Sequence, residues 1–277
     1  MATALSGSFS NRLGTLYHAV RAKVEGWRRR NDLDKLALRF GTDKWGSHWY
    51  TQHYERYFRS RRHRELTLLE IGVGGYHDIE RGAESLRMWK AYFRRARIAG
   101  IDLQDKTRFS EPRIDIRQCE QTNTGELMRL CDEYAGFDII IDDGSHRNED
   151  VIRTFQILFP RLRSDGIYAV EDTQTAYWPT WGGGIGHPRS SMSYFKALAD
   201  GLNHVEYPVV DYQPSYFDRH IVEIAFFHNL VIIRKGNNTE PTNIPALVER
   251  EIALGQRLGA GEIGAPVALA STLGRAR

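Results

Sequence analysis

Short apolar runs alternate with helical patterns along most of the chain, and this alternation limits the possible folds more than any other feature. The apolar runs cover residues 66–71, 97–103, 114–118, 137–141 and 166–170. The helical patterns lie between and after them, at about 80–95, 124–134, 147–163 and 190–203. Continuous apolar strands separated by helices are typical of a parallel sheet that is covered on both faces.

Two further runs, at 220–227 and 230–235, are separated only by His228 and Asn229. A two-residue connection of this kind predicts an antiparallel hairpin, which we place at an edge of the sheet. We therefore expect an α/β fold with a seven-stranded, mostly parallel sheet and an antiparallel C-terminal hairpin.

The composition is that of an ordinary globular chain, and it excludes several classes of protein. Of the 277 residues, 41% are hydrophobic, and 38 Lys and Arg against 35 Asp and Glu give a net charge of only +3. A dedicated nucleic-acid binder is usually more basic, so we expect no nucleic-acid partner. The two cysteines, Cys119 and Cys131, have no zinc-site spacing and suit a reduced, cytoplasmic setting. No run is long and apolar enough to predict a membrane span.

The two ends of the chain differ from its centre. Residues 11–30 have the pattern of a basic amphipathic helix, which favours docking or homo-oligomer formation, with contact to a membrane surface as the alternative. A short helix is expected at 243–254, followed by a frayed tail at 256–277. We therefore divide the chain into an N-terminal helical extension (1–35), a central domain (36–236) and a C-terminal helix with a tail (237–277).

A glycine-rich turn follows the first strand directly. Gly72 and Gly74 permit a tight turn and close approach of a ligand to the backbone. The dinucleotide fingerprint requires a third glycine where this chain has His77, which weakens an NAD interpretation. Glu70, just before the turn, suits a cationic nucleotide such as S-adenosylmethionine. Asp102 ends the second strand, where a carboxylate can accept hydrogen bonds from a ribose diol.

Acidic residues follow the fourth and fifth strands, and parallel strands present their carboxyl ends at one edge of a sheet. Asp143, Glu171 and Asp172 are therefore expected to converge, and carboxylates so close together need a compensating cation. All-oxygen ligation favours Mg²⁺. The alternative is that these residues only cap two helices. His146, three residues after Asp143, is a candidate general base for a hydroxyl group.

Several motifs together resemble a known family. They are EIGVGGY at 70–76, SLRMW at 85–89, GID at 100–102, DDGSH at 142–146, the pair Glu171-Asp172, and GTDK at 41–44. This set is similar to the metal-dependent sugar O-methyltransferases of macrolide biosynthesis, of the mycinamicin and rhamnosyl type, and to the methyltransferases of methylmannose polysaccharide synthesis. Five parallel strands and a hairpin are also the plan of class I methyltransferases. The resemblance covers roughly residues 36–236.

The resemblance implies a role for each matching residue. Asp143, Glu171 and Asp172 would bind Mg²⁺, and His146 would be the catalytic base. The residues that would surround S-adenosylmethionine are Glu70, Gly72, Gly74, Ser85, Asp102, Glu120, Gln121 and Asp142.

The implied activity is S-adenosylmethionine- and Mg²⁺-dependent methylation of a sugar hydroxyl, on a polysaccharide or on a glycosylated natural product. The aromatic segment at 177–188 is a candidate lid over the sugar, with ordinary packing as its alternative. An RNA methyltransferase, a methyltransferase for another small molecule and a non-catalytic nucleotide-binding protein remain open as alternatives.

Overall fold

The computed structural model describes residues 33–76 and 78–257. The helix expected at 11–30, His77 and almost all of the tail expected at 256–277 lie outside these residues. The chain divides into two compact units, Met1–Gly144 and Ser145–Arg277. The boundaries at 36 and 236 that the sequence suggested remain predictions.

Within the described residues, the first unit contains four α-helices and four parallel strands. Its elements are α1 (Leu33–Phe40), α2 (Thr51–Phe58), β1 (Thr67–Ile71), α3 (Glu84–Tyr92), β2 (Arg97–Asp102), β3 (Ile114–Gln118), α4 (Thr124–Tyr134) and β4 (Phe137–Asp142). The strands are ordered β3-β2-β1-β4, so the first strand in sequence lies between two others. Leu68 of β1 pairs in register with Ile98 of β2 and with Ile139 of β4. All five residues of β1 are buried, as its continuous apolar pattern predicts.

Aromatic side chains fill the space between α2 and α3. The ring of Trp89 lies 5.3 Å from that of Tyr54 and 5.8 Å from that of Phe58, both in edge-to-face geometry. Burying one such side chain contributes roughly 1.5–3 kcal/mol. The helix expected at 80–95 is wrong at its start, because Ala83 adopts a left-handed backbone with φ 66° and α3 begins only at Glu84.

The described part of the second unit contains four α-helices and three antiparallel strands. Its elements are α5 (Asn148–Leu158), β5 (Leu162–Glu171), two 3₁₀ turns (Thr173–Tyr177 and Pro179–Trp181), α6 (Ser191–Asp200), α7 (Tyr216–His220), β6 (Ile221–Phe227), β7 (Leu230–Lys235) and α8 (Pro245–Arg257). Here the order is β5-β7-β6. The predicted hairpin is confirmed: Phe227 pairs with Leu230 across the two-residue turn, in which Asn229 has φ 59°.

Phe155 on α5 is the centre of the second unit's core. Its ring lies 5.1 Å from Tyr168 on β5 and 5.3 Å from Phe195 on α6. The helix expected at 147–163 ends at Leu158, because Pro160 has no N–H for the next helical hydrogen bond. Residues 162–163 belong instead to β5, which is longer than the predicted run at 166–170.

The predicted fold class is confirmed, an α/β fold with a seven-stranded mixed sheet and antiparallel C-terminal strands. The alternating pattern did not reveal the short helices α1, α2 and α7. Among the residues that the structure describes, no helix has the length and apolar character needed to cross a membrane.

Candidate active site

Three of the predicted site residues meet at one edge of the parallel strands. Gly72 follows β1, Asp102 ends β2 and Asp142 ends β4. Ile71 pairs in register with Asp142, and the N–H of Gly72 donates to the carbonyl of Ile101 at 2.8 Å. This is the edge at which parallel α/β sheets bind their ligands.

The turn after β1 requires glycine for two different reasons. Gly72 has φ +90°, and a Cβ atom there would lie 2.0 Å from the carbonyl oxygen of Asp143. Gly74 has φ +82°, and the atom nearest to a Cβ added there would be a carboxylate oxygen of Glu84, at 3.7 Å. Gly72 therefore allows close packing against the loop after β4, while Gly74 leaves exposed backbone that a ligand can approach.

Asp102 holds the turn from the neighbouring strand. Its Oδ2 accepts a hydrogen bond from the N–H of Val73 at 2.8 Å, and its Oδ1 accepts one from the N–H of Gln104 at 2.8 Å. The side chain is half-buried. Because each carboxylate oxygen has a second lone pair, these bonds leave acceptor capacity for the hydroxyls of a ribose.

Glu70 and Ser85 belong to a buried network. The Oε2 atom of Glu70 accepts hydrogen bonds from Ser85 Oγ at 2.9 Å and from Trp89 Nε1 at 3.0 Å. Lys44 Nζ lies 3.1 Å from Glu70 Oε1, an ionic contact without hydrogen-bond geometry. Burial raises the pKa of Glu70 to about 7, and the Lys44 charge opposes that shift. The structure therefore places Glu70 and Ser85 where they brace the turn from inside.

We expect this buried carboxyl to make stability depend on pH. The pKa of Glu70 rises from 4.5 to about 7 on folding. The stability that this shift contributes is therefore fully present below pH 4.5 and is lost as the pH rises towards 7. E70Q should therefore gain stability relative to the wild type across this window, by up to about 3 kcal/mol. Urea unfolding in EDTA at the two ends of the window measures the difference. E149Q changes an exposed carboxylate on α5 and is the control, for which we expect no gain in stability relative to the wild type across this window. A difference in the free energy of unfolding between E70Q and the wild type that does not change with pH would contradict the prediction.

Of the residues expected around S-adenosylmethionine, Gln121 and Asp142 come together. Gln121 is buried, and its Nε2 lies 3.4 Å from Asp142 Oδ1. A Cβ on Gly144 would lie 2.3 Å from Gln121 Oε1, so the glycine of the DDGSH motif makes room for this amide. Glu120 is exposed and accepts a hydrogen bond from Thr122.

The loop after β4 and the end of β5 bring the predicted base and a predicted metal ligand together. His146 Nε2 lies 3.7 Å from Asp172 Oδ2. Asp143 precedes His146 by three residues in the sequence, and the buried Glu171 ends β5 directly before Asp172. A carboxylate and an imidazole at this distance are able to share a divalent cation.

His146 and Asp172 share a strained backbone that the sequence did not reveal. Both are left-handed, with φ 55° and φ 53°, which costs a residue other than glycine roughly 1–2 kcal/mol. The buried Thr175 hydroxyl contacts both main chains, at 2.8 Å from the His146 carbonyl and 3.1 Å from the Asp172 carbonyl. Such strain is concentrated at functional sites, where the surrounding structure stabilises it.

The buried side-chain amide of Asn148 holds the aromatic segment after Asp172 in place through hydrogen bonds. Asn148 Nδ2 lies 2.9 Å from the Trp181 carbonyl and 3.4 Å from the Thr175 carbonyl, and Asn148 Oδ1 accepts from the Ser191 N–H at 2.7 Å. The ring of Trp181 lies 6.4 Å from that of His146. Tyr177 and Trp178 are exposed. The segment therefore presents aromatic surface close to the predicted base.

The fold and this arrangement define the chain's class. A glycine turn after the first strand, an acid at the end of the second and an antiparallel hairpin at the end of the chain make the fold that of a class I methyltransferase. No family model matches the chain.

Comparison with known proteins shows which methyltransferases this chain resembles. Demethylmacrocin O-methyltransferase of Streptomyces fradiae is 46% identical over 225 residues, which are 79% of this chain and 57% of that protein. Mycinamicin VI 2''-O-methyltransferase of Micromonospora griseorubida is 44% identical over 225 residues, 78% of this chain and 56% of that protein. The MycE methyltransferase of the mycinamycin pathway, in complex with Mg, SAH and mycinamycin VI, is 42% identical with a TM-score of 0.74, and the match covers 81% of this chain and 59% of that one.

The predicted resemblance is confirmed: about four-fifths of this chain is homologous to sugar O-methyltransferases. The chain spans less than three-fifths of the length of the two curated relatives.

Proposed function

We propose that this chain is an S-adenosylmethionine- and Mg²⁺-dependent O-methyltransferase that methylates a hydroxyl on the sugar of a glycosylated natural product. The observation that carries the proposal is the contact between His146 and Asp172, two of the predicted site residues, in a chain that is homologous to sugar O-methyltransferases. The left-handed backbone at His146 and Asp172 supports it, because helix capping alone does not need that strain.

In this proposal the first unit binds the methyl donor. Gly72 and Gly74 let the donor approach the backbone, and Asp102 accepts hydrogen bonds from its ribose. Gln121 and Asp142 border the adenine, with Glu120 at the solvent side. Glu70 and Ser85 act from behind the turn, since Glu70 is completely buried and Ser85 donates a hydrogen bond to it.

The donor set suits Mg²⁺. Asp143 and Asp172 offer carboxylate oxygens, which Mg²⁺ prefers to nitrogen, and Glu171 is the proposed third ligand. Mg²⁺ is usually bound through few protein oxygens, so places remain for oxygens of the acceptor. His146 offers nitrogen instead of oxygen, so its side chain is then available to accept the proton of the acceptor hydroxyl.

When bound, S-adenosylmethionine supplies the methyl group and Mg²⁺ supplies positive charge beside the acceptor oxygen. His146 accepts the proton of the sugar hydroxyl at a ring nitrogen, and Asp172, 3.7 Å away, stabilises the resulting imidazolium. Thr175 fixes the main chains of both residues, and Trp181 offers an apolar face to the sugar ring. Orientation and electrostatics are therefore the main sources of rate acceleration.

Relatives support one class of acceptor. The names of three similar proteins refer to demethylmacrocin, mycinamicin VI and a rhamnosyl tetracenomycin, which favours a glycosylated natural product over a polysaccharide. We expect methyl transfer from S-adenosylmethionine to rhamnosides or macrolide glycosides, detected by mass spectrometry as an added methyl group. Mannoside oligosaccharides in the same screen test the polysaccharide alternative.

Two other functions give different outcomes in that screen. An RNA methyltransferase would label RNA and bind it in a salt-dependent manner, whereas the net charge of +3 predicts neither. A non-catalytic nucleotide-binding protein would bind S-adenosylhomocysteine and transfer no methyl group to any acceptor. Homo-oligomer formation through residues 11–30 also remains a prediction, which sedimentation of the full chain tests.

A further inference from the structure

Lys44 is a buried cation that touches two of the predicted site residues. It lies between α1 and α2, and its side chain is completely buried. Its Nζ lies 2.7 Å from Asp143 Oδ2 and 3.1 Å from Glu70 Oε1. One ammonium group therefore connects the carboxylate before the donor turn with the carboxylate that is proposed to bind the metal.

The surroundings of Lys44 hold its ammonium group in place. Glu70 is held at its other oxygen by Ser85 and Trp89 on α3, so this partner of Lys44 cannot move freely. A charged side chain buried at this depth is confined by its partners, because leaving them exposes an uncompensated charge to the interior. The Asp143 side chain, by contrast, is one-quarter exposed. Lys44 thus holds Asp143 Oδ2 from the protein side.

The main chain of Asp143 is held as well. Its carbonyl oxygen packs against Gly72 so closely that a Cβ there would lie 2.0 Å away. Its N–H donates to the carbonyl of Ile71 at 2.9 Å. With both main chain and Oδ2 fixed, the direction in which this carboxylate meets a cation is set before any cation arrives.

We propose that Lys44 determines which divalent cation the site accepts, by holding Asp143 as a ligand through a single oxygen. This inference rests on the proposed function, since it takes Asp143 to be a metal ligand. Mg²⁺ needs compact octahedral geometry, whereas Ca²⁺ takes six to eight oxygens and often binds a carboxylate through both. Two-oxygen binding would bring the cation next to Oδ2 and therefore close to the ammonium charge, which repels it. The arrangement favours Mg²⁺ over Ca²⁺.

Calorimetric titration of the full chain with MgCl₂ and with CaCl₂, in the presence of S-adenosylhomocysteine, tests this role. K44M alone would leave Glu70 buried without its cation, so the main comparison is K44M/E70Q against E70Q. When Lys44 is lost, we expect the Mg²⁺ dissociation constant divided by the Ca²⁺ dissociation constant to rise about tenfold, which means a weaker preference for Mg²⁺. Circular dichroism establishes that both variants are folded.

A matched control is K235M, which removes another buried lysine. Lys235 Nζ donates hydrogen bonds to the main-chain carbonyls of Phe159, Pro160 and Leu162, so its loss should lower stability without changing the ratio. If the wild type binds Mg²⁺ and the ratio is the same in E70Q and K44M/E70Q, the role of Lys44 is refuted while the proposed function stands. If the wild type binds neither cation, the proposed metal site fails, and this inference fails with it.

Discussion

Replacing His146 with glutamine is expected to lower kcat by roughly 10²–10⁴-fold, the usual contribution of a general base. Glutamine has similar reach and can still hydrogen-bond, but it cannot accept the proton of the acceptor hydroxyl. The dissociation constants of S-adenosylhomocysteine and Mg²⁺ should stay close to those of the wild type, because the role assigned to His146 is proton transfer.

Methyl-transfer kinetics at a fixed pH, with calorimetry for the two ligands, check this prediction. H63Q is a suitable control because His63 is exposed in the segment before β1. Full kcat in H146Q would assign His146 to a structural role. A large loss of Mg²⁺ affinity in H146Q would instead make His146 a metal ligand, in agreement with its place beside Asp172.

Removing the charge of a carboxylate that is proposed to bind the metal should strongly lower the affinity for Mg²⁺. D172N keeps the shape of the side chain and removes its charge, and we expect the Mg²⁺ dissociation constant to rise by more than about 100-fold. This estimate starts from the 10- to 100-fold losses caused by changes outside the ligand shell. Methyl transfer should fall accordingly and recover partly at high Mg²⁺, while S-adenosylhomocysteine binding, assigned to the first unit, should change little.

Calorimetric titration with MgCl₂ and assays in EDTA measure this effect, and D143N should give the same result. D200N, which changes an exposed carboxylate at the end of α6, is the matched control. Wild-type activity that persists in EDTA, or D172N that binds Mg²⁺ normally, would contradict the assignment.

The sequence predicted the fold well because burial dominates its local pattern. Strands such as β1 and β4 are buried over nearly their whole length, so their apolar runs predict them without knowledge of their neighbours. The ends of helices were harder to predict. Ala83 takes a left-handed conformation although nothing in its chemistry requires it, and α3 therefore starts later than its periodicity suggests.

The predicted site depended on residue types, and the structure adds what those types do not reveal. Acids and glycines at strand ends indicate a ligand edge because parallel strands all end on the same side. The inward direction of Glu70, the strain at His146 and Asp172, and the contacts of Thr175 and Asn148 depend on packing between segments distant in sequence. GTDK was the only signal for Lys44, as a motif without an assigned role.

The three hydrogen bonds of Asn148 limit how this protein could acquire a new substrate. One amide ties residues 175, 181 and 191 to the first turn of the helix that follows His146, so inserting or deleting residues between them would also disturb the base. Changes in acceptor preference should therefore arise by exchanging outward-facing side chains such as Tyr177 and Trp178, with the length of the segment preserved. Directed evolution for new glycosides has its best starting library at those two positions.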